Sequence, residues 1–472
     1  MRDYWLIFPQ VATGALALIV LAADLIYRPR RKEPLGGLAA VGLLLILAVV
    51  VALGRHSGRL FGGLFIGDGL SFIFYLIFLV GALLVALASV RFAGSTGYAG
   101  EYYALVLFST VGLMFMVASG DLLTLYLSIE LSTIPLYALA AFLKRDARSG
   151  EAGLKYLLLG AVSTAVLIYG ISLVYGIAGT TALRPLGRLV AAGPVEPALL
   201  LALAFIAAGF AFKISSVPFH MWAPDVYEGA PTPIVAFAAA ASKAGGFAVI
   251  LRVFAGSFPA AGGQWLLLMA AMSALSMIVG NTVAIPQTNI KRMLAYSGIA
   301  QAGYVLVGVA AASGPGAQAA MYYLFQYTFT VIGAFTVVLI VARSAGNDEI
   351  ASYAGLAQRS PVLAMGMLLL LLSLGGIPPL SGFWAKIYVF AAGIQQGLWW
   401  LVLIGVLASV VSLYYYLMVV KQMYIAPPRD RSPVAVPWPA GLAVVICVLA
   451  ILALAYPAPI LDLAARAASA LF

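Results

Sequence analysis

Residues 205–243 read FIAAGFAFKISSVPFHMWAPDVYEGAPTPIVAFAAAASK, and the fold follows from how this stretch is taken. It starts as an apolar helix of membrane character, carries Lys213 inside it and breaks at Pro218. A polar loop with His220, Asp225 and Glu228 comes next. Pro231 and Pro233 then open a second apolar helix, which carries Lys243. A charge within a spanning segment costs roughly 2.5–3.5 kcal/mol on insertion scales, so its default reading is functional. Proline lacks the N–H that a helix interior needs, and at membrane depth a broken helix persists only inside protein or beside water. A lysine beside such a break is the pattern of an ion-translocating site.

Composition agrees with this. Of the 472 residues, 64% are hydrophobic and 9% charged, with mean hydropathy +1.07, which points to a polytopic membrane protein. The net charge of +10 is accounted for by membrane topology and not by nucleic-acid binding. One cysteine, Cys447, excludes a disulfide framework and argues against an iron–sulfur cluster in this chain. His56 and His220 are the only histidines, which argues against bis-histidine haem. There is no Walker A motif and no GxGxxG after a strand, so redox and nucleotide chemistry fall to partner proteins.

Windows of about 20 apolar residues predict fourteen spans: 5–27, 37–54, 69–90, 102–119, 121–143, 152–178, 198–219, 233–256, 264–284, 293–312, 317–342, 361–395 (broken), 398–424 and 435–456. The first is too long for a signal h-region and is read as a helix. The tail from Pro457 reads as a short amphipathic segment with Asp462 and Arg466. Lys and Arg near span ends divide 15 to 7 between the two faces, with Lys155, Lys213, Lys243 and Lys386 inside spans. The richer face is expected to be cytoplasmic, which puts both termini outside, in a bacterial plasma membrane. The chain is expected to be one transmembrane domain, 1–472.

The twelfth span contains SLGGIPPLSGFWAKIYVF (373–390), broken at Pro378 and Pro379 with Lys386 beyond the break. Two broken, lysine-bearing spans lie five apart, and an odd offset gives the units opposite orientations. The fold class is therefore an all-α membrane helix bundle with two inverted five-helix repeats, 102–256 (spans 4–8) and 264–424 (spans 9–13). Glu130, in DLLTLYLSIELSTIPLY (121–137), lies about nine residues into its span, roughly 13 Å deep. It must be paired, hydrated or protonated there, and Lys213 is the candidate partner. A pair that opens and closes would change how firmly the lysine holds its proton. Lys155, near a span start, is the weaker candidate, with snorkelling as the rival reading. Asp121 reads as an N-cap, and Asp24 and Asp68 as solvated residues at the interface. His220, Asp225 and Glu228 either order their loop or titrate at a channel mouth. The cluster Gln301, Tyr304, Tyr322, Gln326 and Tyr327 reads as helix packing able to hold water.

Residues 213–243 resemble the hallmark stretch of the antiporter-like membrane subunits of respiratory complex I. SIELSTIPLYAL around Glu130, NIKRMLAYSGIAQAGY (289–304) and GGIPPLSGFWAK (375–386) support the resemblance. It implies fourteen helices and proton translocation driven by quinone reduction elsewhere in a complex. Glu130 and Lys213 would be the pair on helices 5 and 7, Lys243 the central lysine and Lys386 the titratable residue of broken helix 12. Lys155 would be an additional lysine of helix 6. Lys386, where M-type subunits carry glutamate, and the short tail, where L-type subunits carry a long lateral helix, leave the N-type. The resemblance implies no cofactor in this chain, with NADH, FMN, iron–sulfur clusters and quinone in neighbouring membrane-arm and other subunits. Its partners would be those subunits and the lipid membrane, with no nucleic acid. The alternatives are a subunit of a multi-subunit cation/proton antiporter and a non-pumping scaffold.

Overall fold

The structure is a computed structural model that describes residues 2–27, 31–54, 56–191, 196–256, 262–428, 430, 432–469 and 471. Arg28, Arg30, Arg55, Arg429 and Arg431, counted toward the charge bias, lie outside the described residues.

The chain is almost all helix, in the order α1 (Phe8–Tyr27), α2 (Glu33–Leu53), a hairpin of β1 (Gly58–Leu60) and β2 (Phe65–Gly67), α3 (Gly69–Thr96), α4 (Ala99–Ala118), α5 (Leu122–Ala140) and α6 (Ala147–Ala178). After the short α7 (Leu183–Ala191) come α8 (Pro197–Ile214), α9 (Trp222–Gly229), then α10 (Thr232–Phe237) and α11 (Lys243–Ile250). The last two join through π-helical turns, Ala238–Ser242 and Leu251–Ala255, into one span, Thr232–Ala255. The remainder is α12 (Gly262–Ala284), α13 (Ile290–Ala310), α14 (Gly314–Ala345), α15 (Leu356–Arg359), α16 (Pro361–Gly375), α17 (Ser381–Gln395), α18 (Trp399–Tyr424), α19 (Trp438–Ala453) and α20 (Ala458–Ala468).

Among the described residues, twelve helices are long and apolar enough to cross a membrane, or thirteen when α19 and α20 are joined across their 81° bend. Length alone therefore does not carry the expected fourteen. The window 361–395 holds two 15-residue halves, and 435–456 holds a helix of 16. The first break also falls earlier than expected. α8 ends at Ile214 because Ser215 turns left-handed (φ 57°), three residues ahead of Pro218. Cis peptide bonds occur at Val217–Pro218 and Pro378–Pro379.

Burial separates centre from rim. The span Thr232–Ala255 is buried along its whole apolar window, α13 along 94% of it and α6 along only 28%. A helix that is apolar on nearly every side and wholly enclosed belongs in the middle of a bundle, and here it carries Lys243 near its midpoint and Arg252 near its end.

The loops sort onto two faces. Phe65 bridges Ser119 and Asp121 bridges Ala182, which joins the connections after α2, α4 and α6 on one face. Asn289 bridges Glu349 on the other. Asp121 caps α5 as expected, accepting from the N–H of Leu123 (2.8 Å) and Thr124 (3.1 Å). Asp24 and Asp68 differ from expectation. Asp24 is an ion-pair partner of Lys32 and accepts from Gly100 N–H, and Asp68 caps α3 and pairs with buried Arg252. Partial burial leaves too little water to solvate either carboxylate, so each takes a cation.

Candidate functional site

Lys213, Lys243 and Lys386 are 6%, 2% and 5% exposed, so all three ammonium groups are enclosed. None forms an ion pair among the described residues.

Lys213 occupies the last turn of α8, where the helix's unsatisfied carbonyls favour a cation. Its Nζ donates to Thr133 Oγ1 (2.6 Å) and Ser132 Oγ (3.1 Å) on α5. Glu130, three positions before Thr133 on the same helix, is the carboxylate whose charge reaches Lys213. The expected Glu130–Lys213 contact is not closed here: Glu130 Oε1 is buried without a hydrogen-bond partner among the described residues. Lysine and glutamate thus share one face of α5, the hydroxyls holding the lysine beside the carboxylate.

Lys213 and Lys243 are linked through Gly246, three positions beyond Lys243. A Cβ at residue 246 would stand 3.2 Å from Lys213 Cγ. Lys243 Nζ donates to the carbonyl of Gly298 on α13 (2.6 Å). A Cβ at residue 298 would stand 3.2 Å from that Nζ and 3.3 Å from Tyr327 Oη, so a side chain there would crowd the ammonium as it reaches the backbone. π-helical turns flank Lys243, a local widening that often marks functional positions.

From Gly298 the polar contacts continue along one face of α13. Ser297, Gln301 and Tyr304 recur at the helical i, i+4, i+7 spacing and are buried. The Ser297 and Tyr416 hydroxyls are 2.5 Å apart, and Gln301 receives the Tyr323 hydroxyl and donates to Leu374 O (3.1 Å). Tyr304 accepts from Asn281 (3.1 Å), which accepts from Tyr415 (3.0 Å). Lys386 lies at the far end, its Nζ 4.6 Å from the centre of the Tyr304 ring and donating to Gly375 O (2.9 Å), the terminal carbonyl of α16. The six steps from Gly298 to Tyr304 span about 9 Å of helix. Tyr322 belongs elsewhere, donating to Leu454 O (2.6 Å), and Gln326 accepts from Thr330 (3.1 Å).

Lys155 is not part of this buried line. It is 42% exposed and pairs with Glu151 and Asp225 at 2.8 Å each. Asp225 also receives Arg292 (2.7 Å), which reaches Glu228 (2.9 Å). The loop acids are therefore held in an ion-pair cluster at one end of the bundle. Burial would raise the Asp225 carboxyl, but Lys155 and Arg292 outweigh it and hold it below the ordinary carboxylate range. The roles of Ser132, Thr133, Gly298, Arg292 and the Gly375 carbonyl were not singled out from sequence. Gly298 is one of three glycines in α13, and nothing in the sequence singles it out from Gly303 and Gly308; a carbonyl carries no sequence signal.

Residues 119–412 match the family described as NADH:quinone oxidoreductase/Mrp antiporter, transmembrane. The chain is 46% identical over 468 residues to NADH-quinone oxidoreductase subunit N of Desulforamulus reducens, covering 99% of this chain and 98% of that one. It matches a chain of respiratory complex I from Thermus thermophilus, solved with bound aureothin, with TM-score 0.81 and 33% identity over 97% of this chain and 99% of that one. A chain of the Mrp complex from a Dietzia species has TM-score 0.86 at 21% identity, covering 98% of this chain and 95% of that one, which shows the common fold. The enclosed lysines and broken helices thus belong to a member of the NADH:quinone oxidoreductase/Mrp antiporter family of membrane subunits.

Proposed function

We propose that this chain is an antiporter-like subunit of a complex I membrane arm, translocating protons driven by NADH:quinone electron transfer in other subunits. One observation carries the reading: three enclosed lysines, each held by a carbonyl or hydroxyl and not by a carboxylate. A carbonyl accepts a hydrogen bond from an ammonium or from an amine, so the proton can leave while the side chain stays in place. Lys213, Lys243 and Lys386 would be the proton sites, Glu130 the group that biases Lys213, and the α13 face the connection. Lys155 would act from the ion-pair cluster at the end of the bundle. The segments 102–256 and 264–424 would be the two inverted units.

With one buried cysteine and two histidines, the redox steps are assigned to partners, where NADH, FMN, iron–sulfur clusters and quinone would reside. Both termini would face away from the cytoplasm of a bacterial plasma membrane. The test is NADH-driven proton uptake into inverted membrane vesicles, wild type against Lys213→Met, with the complex verified intact on a native gel. Reduced uptake with the complex intact is the expected result. Unchanged uptake would make this chain a scaffold.

A further inference from the structure

The face joined by the connections after α2, α4 and α6 holds a cleft of about 630 Å³, away from the lysine line. Arg59 of the hairpin, Arg184 and Arg188 of α7, and Arg252 line it, with Asp68 as the one acidic residue among the described lining. That carboxylate is already engaged: Arg252 donates to both Asp68 oxygens at 2.8 Å and to Val117 O at 2.6 Å. Arg59, Arg184 and Arg188 are exposed and form no ion pair among the described residues. Among the described residues the cleft therefore presents three guanidinium groups without an ion-pair partner. Arg59 and Arg184 are close enough to act on one another: partial burial, then the charge of Arg184, lowers the proton affinity of Arg59, against the smaller opposing pull of Asp68.

α7 is built to present them. In LRPLGRLVA, Leu183, Leu186 and Val190 are buried, while Arg184 and Arg188 stand one turn apart on the exposed side. Side chains four apart on a helix are neighbours, about 5–6 Å between Cβ atoms, which suits two guanidinium forks sharing one tetrahedral anion. An amphipathic helix between two spans also lies where headgroups lie. Leu64, Ile66 and Leu471 give the cleft an apolar side.

Charge economy points the same way. This is the face with the smaller share of the chain's cations, seven, and four of the seven line this single cleft. In the orientation proposed above this is the translocated side, where basic residues work against membrane topology, so their concentration at one place calls for a local counter-charge.

We propose that this cleft binds a phosphate-bearing anion, held by Arg59, Arg184 and Arg188, with the headgroup of an anionic phospholipid and inorganic phosphate as the two sources of that chemistry. The purified complex is compared by native mass spectrometry with one carrying Arg59→Gln, Arg184→Gln and Arg188→Gln, each titrated with phosphatidylglycerol or phosphatidylcholine. Phosphatidylglycerol retention should weaken roughly fivefold per arginine removed, the effect of about 1 kcal/mol per basic residue near a surface. Phosphatidylcholine retention should not change, and Lys421→Gln, elsewhere on the surface, should change neither. Millimolar inorganic phosphate distinguishes the sources: displacement of phosphatidylglycerol identifies free phosphate as a ligand, and no displacement identifies the lipid headgroup. Equal retention of phosphatidylglycerol and of phosphate by both complexes overturns the proposal and leaves the arginines to an acidic segment of a neighbouring subunit. Should the triple variant not assemble, photoreactive phosphatidylglycerol on the wild-type complex gives the answer. Labelling within residues 58–67 or 183–191 supports the site, and labelling confined to other segments overturns it.

Discussion

The two broken spans look alike in sequence and differ in where they hold their lysines. At both, a half-helix ends in a left-handed residue, Ser215 (φ 57°) or Gly376 (φ 83°), with an X-Pro bond two residues on. Aligned on those residues, Lys386 stands ten positions beyond Gly376, and ten positions beyond Ser215 stands Asp225. Lys213 falls opposite Leu374. The lysines are therefore not counterparts. Lys213 sits at the carbonyl end of its own half-helix, whereas Lys386 crosses the break to reach the carbonyl end of the preceding one, at Gly375. A helix's negative end can serve a cation attached to it or a cation brought to it. The first arrangement leaves Nζ free for another helix, α5. The second commits Nζ to the break.

That difference makes testable demands. Lys243→Met should have the largest effect, because Lys243 lies between the two regions: proton uptake should fall about a hundredfold, as when a proton-transfer group is lost, with the complex intact. If Lys243→Met does no more harm than Lys213→Met, the two regions work independently. Thr133→Val removes the shortest bond of Lys213 and should reduce uptake about tenfold, a hydrogen bond to a charged group being worth about 1.5–3 kcal/mol. The same change should also lower stability in detergent by about 1–3 kcal/mol, because the buried ammonium loses a partner, so uptake is compared per assembled complex.

The caps provide a smaller and more local contrast. Gly376→Ala places a Cβ 2.9 Å from Lys386 Cδ in a left-handed conformation. It should cost about 1–2 kcal/mol, read as loss of assembled complex on heating in detergent. Ser215→Gly at the matching position should be neutral or stabilising. If both destabilise, the two caps are not equivalent and the alignment of Asp225 with Lys386 fails.

The smallest effect concerns Asp225→Asn, which releases Lys155 and Arg292. A carboxyl held below its ordinary range contributes stability above its unfolded-state value and loses it as pH falls through the folded one. The destabilisation caused by Asp225→Asn should therefore be the same from about pH 8 to pH 5 and diminish only below about pH 4. A destabilisation that changes near neutrality would assign the coupling to another group in the cluster.

Much of this was legible in the residues because the membrane penalises polar groups so heavily. Lys213, Lys243 and Lys386 stand out against apolar surroundings, and Pro218, Pro378 and Pro379 mark the breaks. Asp121 announces its cap. What was not legible depends on backbone geometry. Nothing in VPFH foretells that Ser215, and not Pro218, ends the helix, so the alignment of the two breaks on their left-handed caps was not readable from sequence. The alanine run 238–241 carries no sign of a π-helical turn. Glu130 and Lys213 were readable as neighbours, but Ser132 and Thr133, ordinary helix residues in sequence, hold the lysine instead. Arg252, which reads as an interfacial cation, is buried because Asp68 and the Val117 carbonyl meet it.

The wide turns at Ala238–Ser242 and Leu251–Ala255 give Lys243 a mechanical property. Each π-helical turn stores one residue more than an α-turn, and that surplus can pass along a helix without changing the span's end points. A surplus residue passing Lys243 would rotate the side chain by about 100°, the angle one residue subtends on the helix. The lysine is mounted, in effect, on a swivel: such a shift would turn it toward or away from Gly298 without the helix that carries it tilting or sliding.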